Sequence, residues 1–201
     1  MASLAVASDS NAKAKYEALV QRARSGDQTV DLNELRLAAG EAGIESDVEA
    51  RHKLMATAQN HDFKKMAEVA DAVLKSNYAD LDAHYFASVA AKELGKPEQA
   101  EFHRWIGTGL FRSLRSTGDG QSPATAMKVI SVDEEYFFIR VMGQMPRQQS
   151  LGTCAGHPCD IYKTTDPESK QEHTWYFDVE IPMKRMHEAI EGNQKSDSKN
   201  N

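Results

Sequence analysis

Four amphipathic stretches follow one another from about residue 47 to residue 115, and they constrain this 201-residue chain more than any other feature. Each carries apolar residues on one face at helical spacing, and the joins between them are short. Asp80 is placed as an N-cap and Gly95 as a C-cap of these helices. The pattern predicts four helices, preceded by shorter helical pieces at 12–24 and after Val30. The four stretches are "DVEARHKLMATAQNH", "FKKMAEVADAVLKSN", "LDAHYFASVAAKELG" and "PEQAEFHRWIGTGLFRSLRS".

The third and fourth stretches resemble a tetratricopeptide unit. Ala87 and Ser88 occupy its small-residue positions, Gly95 its turn and Ala100 its tight-packing position. A shift of 34 residues reproduces the helix boundaries but few of these residues. The resemblance implies a concave face for a peptide or protein. The alternative is a plain pair of helical hairpins without a groove.

The pattern changes after residue 143. The segments "RQQSLGTC", "PCDIYKTT" and "HTWYFDVEI" are rich in β-branched and aromatic residues and are separated by turn clusters. In the last segment polar and apolar residues alternate, as in a half-buried strand. These segments predict a three-stranded antiparallel meander, which needs helices against its apolar face. The stretch "MKRMHEAIEG" adds a short closing helix.

The predicted fold is therefore α+β, with an N-terminal tetratricopeptide-like helical layer packed on a C-terminal three-stranded antiparallel sheet. Residues 11–190 are predicted to form a single domain, helical over 11–118 and built from a helix and the β-meander over 119–190. Residues 1–10 are predicted to be a disordered segment or a signal remnant. The polar residues 191–201 are predicted to be a disordered tail.

Two features bear on the compartment. The A-V-A sequence at 5–7 has the form of a signal-peptidase site but lacks the basic and apolar regions that should precede it. Cys154 and Cys159 enclose "AGHP", and flanking strands would bring them within disulfide range across a hairpin. The alternatives are two free thiols, or a metal site with His157 as third ligand. A disulfide favours an oxidising compartment.

Composition and motifs narrow the function classes. The net charge of −6 argues against a nucleic-acid binder, which needs a basic face. No apolar run reaches the roughly 18–20 residues of a membrane span. The sequence contains no P-loop, G-x-G-x-x-G or nucleophile elbow. We therefore expect no cofactor, and nothing argues strongly for an enzyme.

The segment "STGDGQSPATAMKVIS" begins where the long fourth helix ends. We interpret Gly118 as a helix stop at positive φ and Asp119-Gly120 as a turn. Ser122-Pro123 then predicts the start of a further helix.

The next helix is predicted to be capped by Ser131 or Asp133. Glu134 and Glu135 lie in its first turn, where carboxylates suit the helix dipole. On this interpretation each acid has a structural role. The alternative places Asp119, Glu134 or Glu135 at a cation or in acid/base chemistry.

Arg104, Thr108, Arg112 and Arg115 share one helix face at spacings of four, four and three. A row of guanidiniums binds acidic groups or phosphate well. The alternative is a solvated face whose arginines pair with acids such as Glu101.

His84 and His103 fall on consecutive helices and are placed to approach each other. With Asp119 they are a candidate metal site. The alternative is that both histidines hydrogen-bond to buried backbone.

Residues 82–181 resemble an uncharacterised family of Gram-negative bacteria, catalogued as a domain of unknown function. The matching pieces include "AEFHRWIGTGLFRSLRSTGDGQSPATAMKVISVDEEY", "GHPCDIYK" and "WYFDVEI". In this pattern Thr117 replaces a serine, and Cys159 stands where tyrosine is more usual. Members usually carry a signal peptide or lipoprotein leader, which implies export. The resemblance implies no activity, but its motif includes the five residues His84, His103, Asp119, Glu134 and Glu135.

The leading hypothesis is a non-catalytic binding module of the bacterial envelope, periplasmic or secreted. Its helical groove, with Arg104, Arg112 and Arg115, would receive a protein or peptide partner, and an immunity or adaptor protein for a toxin is one version. The rival hypothesis is a metal-assisted hydrolase centred on His84, His103 and Asp119. If residues 5–7 are no signal remnant, the expected location is the cytoplasm.

Overall fold

The structure is a computed structural model that describes the backbone of residues 2–197 and the side chains of residues 10–191. The chain forms two compact units, one ending at Ser113 and the other beginning at Leu114. The boundary lies inside a helix, close to the division at residue 118 that the sequence predicts.

The first unit is helical, and its helices follow the predicted stretches. Aspartates cap four of them: the carboxylates of Asp31, Asp47, Asp62 and Asp80 each accept hydrogen bonds from first-turn N–H groups. Residues 2–10, for which we predicted a disordered segment or a signal remnant, continue α1 in the structure. The helices are α1 (Ala2–Arg24), α2 (Leu32–Glu41), α3 (Val48–Gln59), α4 (Phe63–Ser76), α5 (Leu81–Glu93) and α6 (Pro97–Ser116).

Small side chains lie at the contacts between α5 and α6. The Ser88 hydroxyl donates a hydrogen bond of 2.9 Å to the Ala100 carbonyl. At Gly107 an added Cβ would lie 3.4 Å from the Cβ of His84. Gly95 ends the turn between the helices with φ of +70°. The core beneath is apolar and includes Leu54, Ala70, Val73, Ala90, Ile106 and Leu110.

The second unit contains a four-stranded mixed sheet, so the prediction of a three-stranded antiparallel sheet is wrong in one respect. The strands are β1 (Met127–Lys128), β2 (Met145–Cys154), β3 (His157–Thr165) and β4 (Glu172–Asp178), in the order β1-β4-β3-β2. The antiparallel meander of β2, β3 and β4 is confirmed. The fourth strand, β1, pairs in parallel with β4.

β1 was not predicted from the sequence because it is short. β1 has two residues, too few to show alternation in the sequence. Ser122-Pro123, predicted to open a helix, opens only a 3-10 turn at Pro123–Thr125. The predicted helix after it is α7 (Val132–Val141), with Ser131 at the N-cap.

Aromatic rings form the core between α7 and the sheet. The Phe138 ring lies 4.8 Å from that of Trp175 and 5.7 Å from that of Phe177, in edge-to-face geometry. The closing helix, α8, runs over Glu180–Asp197, so residues 191–197 of the predicted tail are helical. Among the helices described between residues 2 and 197, none has both the length and the apolar character needed to cross a membrane.

Candidate functional site

Two of the three predicted arginines line a groove in the first unit. The groove has a volume of about 500 Å³ and lies between α6 and the start of α2. We call it the α2–α6 groove; it is lined by Val30, Asp31, Leu32, Glu101, Arg104, Trp105, Thr108, Gly109 and Arg112. Because Arg104, Thr108 and Arg112 are successive residues of one helix face, α6 presents both guanidiniums to the same side.

The packing of α2 on α6 forms the groove. At Gly109 an added Cβ would lie 2.1 Å from Cδ1 of Leu32, so a larger residue there would separate the two helices. Asp31 is fixed at the edge, since its carboxylate caps α2 by accepting from the N–H groups of Asn33 and Glu34. Trp105 is half-buried, which leaves part of its ring available in the groove.

The two groove arginines differ in their ion pairs. Arg104 pairs with Glu101 one turn away, and both side chains are about two-thirds exposed, at 66% and 64%. Such exposed pairs contribute little free energy. Arg112 is exposed and makes no ion pair with any residue from 10 to 191. Its guanidinium is therefore available to a ligand.

Arg115 belongs to the second unit and has other contacts. Its guanidinium carbon lies 5.6 Å from the centre of the Phe138 ring. One of its nitrogens lies 3.5 Å from the Asp119 carbonyl oxygen. It does not line the α2–α6 groove, so the predicted stripe of three arginines is reduced to Arg104 and Arg112.

His84 and His103 do approach each other, as predicted. His84 is fully buried, and its Nε2–H donates to the Tyr78 carbonyl at 2.9 Å. Its Nδ1 is then the acceptor for the N–H of His103 Nδ1, at 3.1 Å. The hydrolase hypothesis needs a ring nitrogen of His84 for its metal, and both are engaged here.

Burial keeps this histidine pair uncharged. It lowers the pKa of His84 to about 3, and the nearby His103 ring adds to the effect. Burial also lowers the pKa of His103. A neutral, hydrogen-bonded pair is the structural alternative that the sequence left open.

A second groove, of about 370 Å³, lies among α4, α5 and α6 and is lined in part by His103. His103 and Phe102 form part of its wall, with Asp71 and Lys96 at its polar positions. This groove contains none of the three arginines. It gives the helical unit a second concave feature beside the α2–α6 groove.

Asp119 holds the glycine-rich loop together. Its Oδ1 accepts hydrogen bonds from the Thr125 hydroxyl at 2.6 Å and from the Gln121 N–H at 3.0 Å. These bonds, that of Thr125 first, lower the pKa of Asp119. Gly120 has φ of +71° and donates to the Thr125 carbonyl at 2.8 Å.

Gly118 corrects one prediction. Its φ lies outside the left-handed region, so it is not the helix stop at positive φ that we expected. It is needed for space, because an added Cβ would lie 2.3 Å from the Thr125 carbonyl oxygen. The loop is therefore closed by backbone contacts, and Asp119 already uses its carboxylate within it.

Glu134 and Glu135 have different surroundings although they are adjacent. Glu134 lies in the first turn of α7, as predicted, and its Oε2 accepts from the Ile130 N–H at 2.9 Å, which satisfies backbone just before the helix. Glu135 is fully buried, and neither of its oxygens makes a hydrogen bond of normal geometry to another described residue. Burial raises the pKa of Glu135 to about 9, with a further contribution from Asp160 on β3.

Glu135 does lie in the first turn of α7, as predicted, but its carboxyl is buried there. The carboxyl is protonated at neutral pH, so it does not act as a charge on the helix dipole. Tyr162 also lies close enough to affect the pKa of Glu135, yet among the described residues no hydrogen bond of normal geometry reaches the buried Tyr162 hydroxyl. A signal was present in the sequence: Glu135 shares a helix face with buried Phe138 and Ile139.

The cysteine pair forms the disulfide that the hairpin geometry predicted. Cys154 and Cys159 are joined across the turn between β2 and β3, with Cα atoms 5.4 Å apart. The sulfurs are therefore not metal ligands. His157, proposed as their third ligand, instead has its Nδ1 3.1 Å from Glu180 Oε2.

The comparison with known families supports the predicted membership of an uncharacterised domain family. The family described as "Domain of unknown function (DUF4919)" matches residues 5–188. The protein belongs to the DUF4919 family. No curated protein and no solved structure matches the chain.

The family description assigns no activity to this DUF4919 protein. The histidine pair, Asp119 and Glu134 are all engaged in local hydrogen bonds. The α2–α6 groove differs from them because it is concave and carries a guanidinium open to a ligand.

Proposed function

We propose that this DUF4919 protein is a non-catalytic binding module whose α2–α6 groove holds an acidic segment of a protein partner. The observation that carries the proposal is that Trp105, Arg104 and Arg112 line one groove, with Arg112 exposed and unpaired among the described residues. Tryptophan and arginine are the residues that most often dominate binding free energy at protein interfaces.

Charge selects the kind of segment. A carboxylate can accept two parallel hydrogen bonds from the Arg112 guanidinium. A second carboxylate can replace Glu101 at Arg104 at little cost, because that pair is exposed. The chain's net charge of −6 opposes a long polyanion such as a nucleic acid. These features favour a short segment with one or two acidic residues.

The apolar part of the groove selects a neighbouring side chain. Half-buried Trp105 and the buried side chain of Leu32 offer an apolar surface beside the guanidiniums. An aromatic or aliphatic residue next to the acids would cover that surface. The expected ligand is therefore an acidic segment with one large apolar residue.

Other features support a setting in the envelope of a Gram-negative bacterium. The Cys154–Cys159 disulfide persists best in an oxidising compartment such as the periplasm. The resemblance of the α5–α6 sequence to a tetratricopeptide unit supports recognition of a peptide or protein by the helical unit. An immunity or adaptor protein for a toxin is one specific form of the proposal, motivated by small size and the lack of a catalytic motif.

The test measures binding to a defined peptide array. Peptides of equal length carry Asp or Glu beside one aromatic or aliphatic residue, and matched peptides carry Asn or Gln instead. We expect the wild-type protein to prefer the acidic peptides, and Arg112→Glu to weaken binding by at least about tenfold. Arg147→Glu is the matched control, since Arg147 is an exposed arginine on β2 outside the groove.

Two results would contradict the proposal. One is equal binding of the acidic and amide peptides by the wild-type protein. The other is an equal loss of binding in Arg112→Glu and Arg147→Glu, which would reflect net charge rather than the groove.

A further inference from the structure

We infer that His157, Asp178 and Glu180 form a binding site for a divalent transition metal, with zinc as the reference ion. The three residues come from different elements of the second unit: His157 begins β3, Asp178 ends β4 and Glu180 begins α8. Within the described part of the chain, they are the one group of three or more potential ligands whose ligand atoms all lie within 4.8 Å of one another.

The distances are close to those a metal requires. Two ligand atoms of a tetrahedral zinc, each about 2.1 Å from the ion, are about 3.4 Å apart. His157 Nδ1 and Glu180 Oε2 are already 3.1 Å apart. The Asp178 ligand oxygen lies within 4.8 Å of both atoms, so it has to move by about 1.5 Å to join them. The side chains of His157 and Glu180 are nearly half exposed, at 44% and 46%, so an ion can enter from solvent.

Backbone contacts fix the three ligands relative to one another. Asp178 pairs in register with Cys159, and the Cys154–Cys159 disulfide closes the end of the hairpin at which His157 begins β3. The Val179 N–H donates to the Pro158 carbonyl at 3.0 Å, and the Glu180 N–H donates to Asp178 Oδ1 at 3.0 Å. Such preorganisation lowers the cost of assembling a metal site.

The two carboxylates already attract a cation. The Lys128 ammonium lies 3.3 Å from Glu180 Oε2 and 3.7 Å from Asp178 Oδ2. A metal ion would compete with this ammonium for the same oxygens. Removing the positive charge of Lys128 should therefore increase metal affinity.

The donor set indicates which metals fit. One imidazole nitrogen and two carboxylates suit zinc and its neighbours among the transition metals. Calcium and magnesium prefer oxygen ligands alone. The competing structural explanation is that Asp178 and Glu180 only favour the N-terminus of α8. That explanation accounts for the carboxylates but predicts no metal selectivity.

The experiment titrates zinc into the full chain by calorimetry, after removal of metals with a chelator and without a histidine tag. We expect one zinc per chain and at least about tenfold weaker binding in His157→Ala. Lys128→Met should bind more tightly than the wild type. His187→Ala is the control and should bind as the wild type does, because His187 lies on α8 outside the cluster, with its Nδ1 on the Met183 carbonyl at 2.9 Å.

Several results would overturn the inference. They are the absence of stoichiometric zinc binding, unchanged affinity in His157→Ala, loss of affinity in His187→Ala, or calcium binding as tight as that of zinc. Circular dichroism checks the fold of each variant. If His157→Ala does not fold, Glu180→Gln replaces it, with the same expected loss.

Discussion

Glu135 is a fully buried acid on α7, and its titration links the stability of the second unit to pH. Its folded pKa is about 9, whereas the ordinary value is 4.5. Between these two values the unfolded chain has released a proton that the folded chain keeps. The free energy of unfolding therefore falls as pH rises, by about 1.4 kcal/mol for each pH unit.

Glu135→Gln should remove this dependence while keeping the shape of the side chain. At pH 4.5 or below, the variant and the wild type should have similar free energies of unfolding. At pH 8 the variant should be more stable, by an amount on the order of a few kcal/mol. Urea denaturation at both pH values measures the difference. Glu172→Gln is the control, because Glu172 is exposed at the start of β4. An equal difference in stability between Glu135→Gln and the wild type at both pH values would refute the assignment of this pKa.

At the scale of elements, the loop from Gly118 to Thr125 depends on close backbone packing. In Gly118→Ala the new Cβ would lie 2.3 Å from the Thr125 carbonyl oxygen and 2.8 Å from that of Ala126. These backbone atoms cannot rotate away as a side chain could. We expect the variant to lose about 1–3 kcal/mol of stability, as for other overpacked positions.

Gly107→Ala is the matched control for this change. Gly107 lies inside α6, and its added Cβ would meet the His84 Cβ at 3.4 Å, an ordinary contact. Alanine also favours a helix over glycine by about 1 kcal/mol. Chemical denaturation should show a loss only for Gly118→Ala; similar midpoints for both variants would mean that the loop yields easily.

Helices and long strands could be predicted because their patterns are local. The capping aspartates, Gly95 and the alternation in β4 are all legible within a few residues. β1 was not predicted because a strand of two residues shows no alternation of polar and apolar side chains. Its partner strand, β4, also lies far along the chain. Elements that depend on distant partners leave little trace in a single sequence.

The candidate sites show the same limit. The approach of His84 to His103 followed from consecutive helices, but the Leu32 wall of the α2–α6 groove did not. The contact of His157 with Glu180 joins the start of β3 to the start of α8, which required the sheet register. The ion pairs of Arg51 with Asp80 and Asp82, which form a nearly buried network, could not be predicted for the same reason.

For the whole molecule, the buried histidines of the first unit and the buried Glu135 of the second change stability with pH in opposite directions. In the first unit His84 stays neutral with a pKa of about 3, against an ordinary value of 6.5. As pH falls below 6.5 the unfolded chain binds a proton that the folded chain excludes, so stability is lost toward acid. The lowered pKa of His103 acts in the same direction. Glu135 in the second unit causes loss toward alkali instead.

Together these groups predict a stability maximum between about pH 4.5 and 6.5, where their slopes oppose each other. Above pH 6.5 the histidines no longer contribute to the pH dependence, and Glu135 lowers the stability as pH rises. Below pH 4.5 the buried histidines lower the stability of the folded chain as pH falls. Hydrogen bonds lower the pKa values of Asp119 and Asp166, so protonation of these two carboxylates at low pH also lowers the stability.

The melting temperature measured from pH 3 to pH 9 tests this maximum. The two tryptophans report on different units, because Trp105 lies in the first and Trp175 in the second. Trp105→Phe and Trp175→Phe each leave one reporter, so the unit that melts first at each pH can be identified. In Glu135→Gln the maximum should move to higher pH, since only the acid-side losses remain. A wild-type maximum at pH 8 or above would show that neither buried group controls the stability of the molecule.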